Sequence, residues 1–351
     1  MARLSEREYR MRLSFRLKSI ARWAPLLGVL ALVAAGCGGG DDAPAPTAEP
    51  TAAPTTSVNA EPDTSSGQMV LVPAGNDFAV GGTTNVPFVT MSQDGQIISV
   101  SDITVRFFAD ALGNPREFAT VQAFHSSPGG GEVETHEHSD GSLHEHGGED
   151  EGRGFFYATV AFDEPGFWGL FAAGKLEDGT AVTGQMTIEV LEAAAFPAPG
   201  ETAIASDNLT KFDVDDIGTI DTGSVPNDLH EVKIKDAIAA GRPLVIAFAT
   251  PGFCQTQFCG SVVQEVESLH DDYAEDVDFV HIEIWLDPIN RVLNPTVIEW
   301  LEQPGGGFTE PWVYVIDKNG TIFERWGGPV ARVIMEDTVK AVAAGETYNT
   351  D

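Results

Sequence analysis

Two cysteines five positions apart are the residues of this 351-residue chain with the clearest capacity for chemistry. Cys254 and Cys259 follow an apolar run, Leu244–Thr250, and a Pro-Gly turn within the stretch PLVIAFATPGFCQTQFCGSVV. Such a pair can form a redox-active disulfide, a structural disulfide or a thiolate metal site. Because the sequence contains only three cysteines, the chemistry of this pair largely decides the function.

Helix geometry restricts how the pair can close. Residues five positions apart on one α-helix are separated by about 7.5 Å along its axis and about 140° around it, which a disulfide cannot span. Cys254 must therefore lie in a loop ahead of a helix that begins near Cys259. Unpaired N–H groups at a helix N-terminus favour a thiolate there. A purely structural bridge across so short a loop would stabilise little, so the pattern favours redox activity, with a structural bridge and a metal site as alternatives.

A second group with chemical potential is rich in histidine. The segment ETHEHSDGSLHEHGGEDEG, residues 134–152, carries four of the chain's eight histidines: His136, His138, His144 and His146. In an extended chain, each His-x-His pair places both imidazoles on one face, so two pairs joined by a turn could converge on one Cu²⁺, Ni²⁺ or Zn²⁺ ion. The alternative interpretation is an acidic, low-complexity loop that binds no metal.

The elements that would position the cysteines follow an α/β pattern. A continuous apolar strand at 244–250 precedes a helix at 259–275 and a second strand at 277–285. A short helix at 294–302, a hairpin at 311–326 and a closing helix at 331–345 complete the order. The predicted sequence of elements is therefore βαβ followed by αββα.

The segments AFATPGFCQTQFCG and TEPWVYVIDKNGTIFERWGG resemble extracytoplasmic thioredoxin-like proteins, the thiol-disulfide oxidoreductase family. The resemblance implies a thioredoxin-like domain at 229–347 that exchanges disulfides with extracytoplasmic protein thiols and requires no cofactor. It also implies that Cys254 is the exposed attacking cysteine, Cys259 the buried resolving one, and Pro311 the cis-proline beside the disulfide. The chain departs from the family in its spacer. Four residues separate the cysteines, whereas thioredoxins have two and Sco-type copper chaperones have three.

The sequence is compatible with two other functions. A Sco-like copper chaperone or thiol reductant for a respiratory oxidase would need two thiolates and a distant imidazole, for which His281 is the best-placed candidate. The simpler expectation is that His281 lies on a sheet face, partnered by Glu283 or water, while His230 carries no comparable signal. A non-catalytic binding module on a thioredoxin scaffold is the third alternative.

Residues 68–192 predict an all-β domain. Alternating runs such as DITVRFFA, FFYATVAF and GQMTIEVLE are separated by Gly, Asn, Asp and Pro turns, as in an antiparallel sandwich of about seven strands. The segment ATVAFDEPGFWGLFAAG resembles small extracytoplasmic immunoglobulin-like modules of the YtkA/FixH kind. The predicted fold class is thus an immunoglobulin-like sandwich followed by an α/β thioredoxin-like domain, with residues 193–228 as an inter-domain connection.

The N-terminus predicts export and anchoring. A basic segment, Met1–Arg22, precedes the 13-residue apolar run Trp23–Ala35, which suits a signal peptide and is too short to span a bilayer. The run ends in VAAGC, which resembles a bacterial lipoprotein lipobox and implies cleavage after residue 36 with lipidation of Cys37. An ordinary signal peptide is the alternative. Residues 37–67 read as an acidic Pro/Gly/Ala/Thr-rich tether, which would hold the protein on the extracytoplasmic face of the cell membrane.

The charge balance excludes one class of partner. The chain carries a formal net charge of −33, which repels phosphate backbones and argues against nucleic-acid binding.

Overall fold

The computed structural model describes residues 67–126, 134–137, 143–146, 154–254, 258–302 and 309–349. The predicted signal peptide, Cys37 and the tether as far as residue 66 lie outside the described residues. Within these ranges, no helix has the length and apolar character needed to cross a membrane.

Strands β1 to β12 form what we call the first lobe. Their bounds are β1 Gly67–Gln68, β2 Val70–Pro73, β3 Phe78–Ala79, β4 Thr84–Met91, β5 Ser101–Ala109, β6 Arg116–Gln122, β7 Phe124–Ser126, β8 Glu134–Glu137, β9 Leu143–His146, β10 Phe155–Val160, β11 Gly166–Lys175 and β12 Ala181–Leu191. One sheet has the order β1-β12-β11-β5-β6, with β3 also paired to β12, and a second has the order β2-β4-β10-β7. Strands β8 and β9 pair with each other.

The two larger sheets of the first lobe share one hydrophobic core. Strand alternation places every second residue of β5 and β12 inward. Trp168 lies fully buried among these residues and makes edge-on ring contacts with Phe118 and Phe162. The predicted all-β character is present here, and the immunoglobulin-like class stays a prediction.

The second lobe is a mixed α/β layer structure. Its elements are α1 Ile234–Ala240, β13 Leu244–Ala249, α2 Cys259–Tyr273, β14 Asp278–Glu283, β15 Trp285–Asp287, β16 Val292–Leu293, α3 Pro295–Leu301, β17 Trp312–Ile316, β18 Ile322–Gly327 and α4 Arg332–Ala343. The central sheet has the order β14-β13-β17-β18. Strand β13 runs parallel to β14 and antiparallel to β17. The predicted βαβ and αββα units are both present, and the short paired strands β15 and β16, which were not predicted, lie between them.

The continuous apolar run of β13 is explained by helices on both sides of this sheet. All six residues of β13 are buried. Leu244, Ile246 and Phe248 pack in the core shared with α1 and α3, whereas Val245 and Ala247 pack in the core shared with α2 and α4. A strand covered on both faces cannot alternate between apolar and polar side chains, which is why its sequence reads as one run.

Residues 193–228 contain one described helical turn, Ile217–Thr219, and otherwise pack irregularly on the second lobe. Phe196 is buried against Trp312. The Asn208 side chain accepts a hydrogen bond from the backbone N–H of Ile234 and so satisfies the first turn of α1. Trp300 donates from Nε1 to the Ser206 hydroxyl. The segment predicted as a connection is thus part of the second lobe's core.

Candidate disulfide site and buried histidine network

Cys254 and Cys259 form a disulfide with a Cα–Cα distance of 6.0 Å. Cys259 is the first residue of α2 and is fully buried, whereas Cys254 lies ahead of the helix and is half-buried. The prediction that the pair closes only with Cys254 outside the helix is therefore confirmed. The spacer residues Gln255, Thr256 and Gln257 lie outside the described residues.

Thr222, in the segment that the sequence assigned to a connection, is hydrogen-bonded to the loop that carries Cys254. The Thr222 hydroxyl accepts a hydrogen bond of 2.9 Å from the Gly252 backbone N–H. A Cβ atom on residue 252 would lie 2.4 Å from the Thr222 carbonyl oxygen, so only glycine fits this close approach. In addition, the Thr250 hydroxyl accepts from the Ile284 N–H, which ties the end of β13 to β14.

The first lobe contacts both chain segments next to the disulfide. Phe258, directly before Cys259, is 7% exposed and packs with Phe155 and Val89. The Phe155 and Phe258 rings meet edge to face with centroids 6.1 Å apart. On the other side, the Thr309 hydroxyl donates to the Asn76 side-chain oxygen at 2.7 Å. The disulfide site is therefore built against the first lobe.

A buried carboxyl group lies beside the disulfide. Glu310 is 6% exposed. One of its carboxyl oxygens and the sulfurs of Cys254 and Cys259 all lie within 4.8 Å of one another. The peptide bond between Glu310 and Pro311 is cis, as the resemblance implied for Pro311. Sequence inspection singled out Pro311 and missed its neighbour Glu310.

A hydrogen-bonded network of buried polar groups surrounds His281. Its Nε2–H donates to the Ala249 carbonyl oxygen at 3.2 Å, and its Nδ1 accepts from the Asn227 side-chain amide at 2.9 Å. The ring nitrogens of His281 are therefore hydrogen-bonded to Asn227 and Ala249, and not to Glu283 as the sequence suggested. Because Asn227 Oδ1 accepts from the Leu229 N–H, the orientation of the Asn227 amide is determined and His281 takes the Nε2–H tautomer.

The same network contains Asp221 and His230, which no sequence signal indicated. His230 Nε2 donates to Asp221 Oδ2 at 3.1 Å, and the Asn227 amide donates to the same oxygen at 2.8 Å. Burial opposes ionisation of Asp221, but the His230 hydrogen bond and the two imidazoles outweigh it and lower the Asp221 pKa to about 2. Burial, together with the neighbouring His230, lowers the pKa of His281, so His281 is neutral at physiological pH.

Two residue groups bring metal-binding atoms together, and their fit to a cation differs. Asp221, His230 and His281 offer ligand atoms within 4.8 Å of one another. The Asn227 amide nitrogen donates to both the Asp221 carboxylate and the His281 ring, so a cation shared by those two groups would have to displace it. This network therefore fits hydrogen bonding better than metal binding. Cys254, Cys259 and Glu310 form the other group, and their sulfurs are bonded to each other.

His281 does not belong to the cysteine group. Among the described residues, the side chain that accompanies the two sulfurs is Glu310, not an imidazole. The copper hypothesis that joined His281 to the two thiolates is thus not supported by the geometry. Ala249 connects the two sites instead. Its carbonyl oxygen accepts a hydrogen bond from His281, and the residue packs against Cys259 and Cys254.

Part of the histidine-rich segment forms a hairpin. The antiparallel register of β8 and β9 places His136 opposite His144 and Glu134 opposite His146. His138 lies outside the described residues. The hairpin lies in the chain between β7 and β10, and β10 begins with Phe155, the residue that contacts Phe258. Metal binding by these histidines stays a prediction.

Two solved structures align with parts of this chain at low sequence identity. No family model matches the chain, and no curated protein matches it. The thioredoxin-family thiol:disulfide interchange protein from Chlorobium tepidum TLS is 16% identical and aligns over 43% of this chain and 98% of its own, with a TM-score of 0.26. The PKD domain of an M14-like peptidase from Thermoplasmatales archaeon SCGC AB-540-F20 is 14% identical over 35% of this chain and 95% of its own, with a TM-score of 0.17. With TM-scores this low, neither alignment carries an argument about the fold or function of this chain.

Proposed function

We propose that the protein exchanges disulfides with protein thiols through Cys254 and Cys259. The observation that carries this proposal is the disulfide at the start of α2, with one half-buried and one fully buried sulfur. A reagent from solution can reach Cys254 more easily than Cys259, which gives the two cysteines different roles. The orphan N–H groups of the first turn of α2 stabilise negative charge on sulfur.

The exchange proceeds by two attacks in line with a sulfur–sulfur bond. In the direction that reduces a substrate, the Cys254 thiolate attacks a substrate disulfide, forms a mixed disulfide and releases one substrate thiolate. The Cys259 thiolate then attacks the Cys254 sulfur, releases the second substrate thiolate and re-forms the Cys254–Cys259 bond. The substrate gains two electrons and the cysteine pair loses two. The reverse sequence oxidises a substrate dithiol.

Substitution of Cys254 tests this function. We expect Cys254→Ser to lower the catalysed rate of insulin reduction by dithiothreitol to the uncatalysed background. Cys259→Ser should instead accumulate a mixed disulfide with insulin, because the resolving thiol is absent. If wild-type protein and Cys254→Ser reduce insulin at the same rate, the lobe is a scaffold for binding and not a catalyst.

We further propose that exchange takes place on the extracytoplasmic face of the cell membrane. The support is the basic and apolar leader ending in VAAGC, followed by a tether whose reach is on the order of 30 Å. An unmodified Cys37 in mass spectra of the mature protein, purified from a host that processes lipoproteins, would contradict the anchor.

A second candidate function is metal binding by the histidine-rich hairpin. The observation in its favour is the backbone register that pairs His136 with His144. Copper or zinc bound there would be held by residues shortly before β10 in the sequence. The first residue of β10, Phe155, contacts Phe258 next to the disulfide. We expect calorimetric titration with Cu²⁺ or Zn²⁺ to show binding that disappears when His136, His138, His144 and His146 are all replaced by Ala. Equal heats for both proteins would end this hypothesis.

A further inference from the structure

Opening the disulfide leaves a charge in an unfavourable place. When a thiolate attacks Cys254, the sulfur of Cys259 leaves as a thiolate, and Cys259 is 0% exposed. The first turn of α2 offsets part of the cost of this thiolate, but a fully buried anion is still costly and is neutralised by gaining a proton where a donor is within reach. The reaction therefore needs an acid close to Cys259.

The Glu310 carboxyl group lies close enough to Cys259 to be this acid. One of its oxygens lies within 4.8 Å of both cysteine sulfurs, and its side chain is 6% exposed. A carboxylate and a thiolate held this close and shielded from water repel each other, so the pair favours a state that shares one proton. While the disulfide is closed, burial favours the neutral carboxylic acid form of Glu310. Glu310 can then pass its proton to Cys259 when the bond opens.

The backbone around Glu310 is held from both sides. Thr309 donates to Asn76 of the first lobe and accepts from Trp312 Nε1 at 3.1 Å. Trp312 is 1% exposed and packs against Phe196, and the Pro311 carbonyl accepts from the Gly328 N–H at 2.8 Å. A side chain on a segment fixed in this way keeps its position between reaction steps, as an acid–base catalyst requires.

The other buried acid of this region is less suitable. Glu283 pairs in register with Ala249 on the neighbouring strand, and Ala249 packs against both cysteines. One Glu283 oxygen accepts from the Thr222 N–H, and the other has no hydrogen-bond partner among the described residues. Glu283 does not belong to the group that contains the two sulfurs, so it serves as a matched comparison.

We propose that Glu310 is the proton donor and acceptor of the disulfide, an inference that rests on the proposed exchange function. A substrate thiolate attacks the Cys254 sulfur and forms a new S–S bond, and the Cys254–Cys259 bond breaks with its electron pair on Cys259. The Glu310 carboxylic acid gives its proton to that sulfur, which yields a neutral Cys259 thiol and a Glu310 carboxylate. When Cys259 closes the ring again, the carboxylate takes the proton back and the substrate leaves as a thiolate.

The test compares wild type, Glu310→Gln and Glu283→Gln as full chains. The first measurement is the rate of disulfide opening by dithiothreitol from pH 5 to 9, divided by the concentration of dithiothreitol thiolate. We expect the wild-type value to fall as pH rises and the acid form of Glu310 is lost. The Glu310→Gln profile should be flat and at least about tenfold lower at pH 5, whereas Glu283→Gln should follow wild type.

The second measurement is the pKa of the cysteine thiols in the reduced proteins, read from thiolate absorbance. Removing the nearby negative charge should lower the thiol pKa of Glu310→Gln by at least about one unit, and Glu310→Asp should restore part of both effects. If Glu310→Gln has a lower thiol pKa but the rate profile of wild type is as flat as that of Glu310→Gln, the proposal is overturned. Glu310 would then act only as a neighbouring charge. Unchanged rate and pKa in Glu310→Gln would also overturn it.

These measurements separate the two proposals. Dithiothreitol opening and thiol pKa need no protein substrate, so they test Glu310 even if wild type and Cys254→Ser reduce insulin at the same rate. Conversely, Cys254→Ser could lose insulin reduction while Glu310→Gln matches wild type in both the rate profile and the thiol pKa. That result would retain the exchange function and exclude the role of Glu310.

Discussion

Replacing Glu267 by Gln should stabilise the folded protein increasingly as the pH rises from about 4.5 to 8. Glu267 lies on α2 and is 8% exposed. Burial is the main cause that raises its pKa to about 8, and the negative charges of Asp221, Asp271 and Asp228 add to it. The unfolded chain gives up this proton near pH 4.5, so the folded state binds an extra proton between the two values. The free energy of unfolding therefore falls as pH rises through that window.

The size of the effect follows from the shift. Each unit of pKa difference corresponds to about 1.4 kcal/mol, so the penalty at pH 8 is on the order of 4 to 5 kcal/mol. A neutral glutamine avoids this penalty and keeps a similar shape. Denaturant unfolding at pH 5 and pH 8 measures the difference, with Glu275→Gln at an exposed position beyond the end of the same helix as the matched control. If Glu267→Gln and wild type lose stability in parallel between these pH values, Glu267 is ionised in the folded protein.

The second large effect is expected at the ion pair that joins the two lobes. Asp77 Oδ2 and Arg325 Nη1 lie 2.7 Å apart, and their side chains are 0% and 10% exposed. The Asp77 carboxylate also accepts from the N–H groups of Ala195 and Phe196. We expect Asp77→Asn to lower the free energy of unfolding by about 3 kcal/mol or more, because it leaves the Arg325 charge buried without its counterion.

The choice of asparagine isolates the charge. Asp77 has φ of 61°, a left-handed conformation that asparagine adopts more readily than alanine. The double variant Asp77→Asn/Arg325→Met removes both charges, so it should recover a substantial part of the loss. Additive losses in the double variant, measured by the same denaturant unfolding, would show that the two side chains do not act as a pair.

The order of elements in the second lobe could be predicted from the sequence. An apolar run covered on both faces, helices with apolar residues at helical spacing, and a Lys-Asn-Gly turn are local patterns, and each one formed where the pattern placed it. The position of Cys254 ahead of α2 was also predictable, because helix geometry alone forbids the bond otherwise. The alternation of His281 with apolar neighbours correctly placed it on the face away from Val280 and Ile282.

What lies around those elements was not predictable from one sequence. The partners of His281 are Asn227 and Ala249, which lie 54 and 32 residues earlier in the chain, and neither residue type announces such a role. Asn227, with Asp221, belongs to a segment whose composition resembles a linker. A segment without regular secondary structure has no periodic signal, so its packing into the core depends on contacts that only the folded chain provides.

The sequence by itself determined the cysteine pair, its closure ahead of a helix and the strand and helix order that carries it, because each depends on residues close together in the chain. The tertiary structure decided which groups stand beside the disulfide. Glu310 approaches the sulfurs from the turn before β17, and the first lobe packs Phe155 against the residue before Cys259. Both contacts join segments about 50 and 100 residues apart. Such approaches are set by how the sheets and helices bury their apolar faces, which no local pattern records.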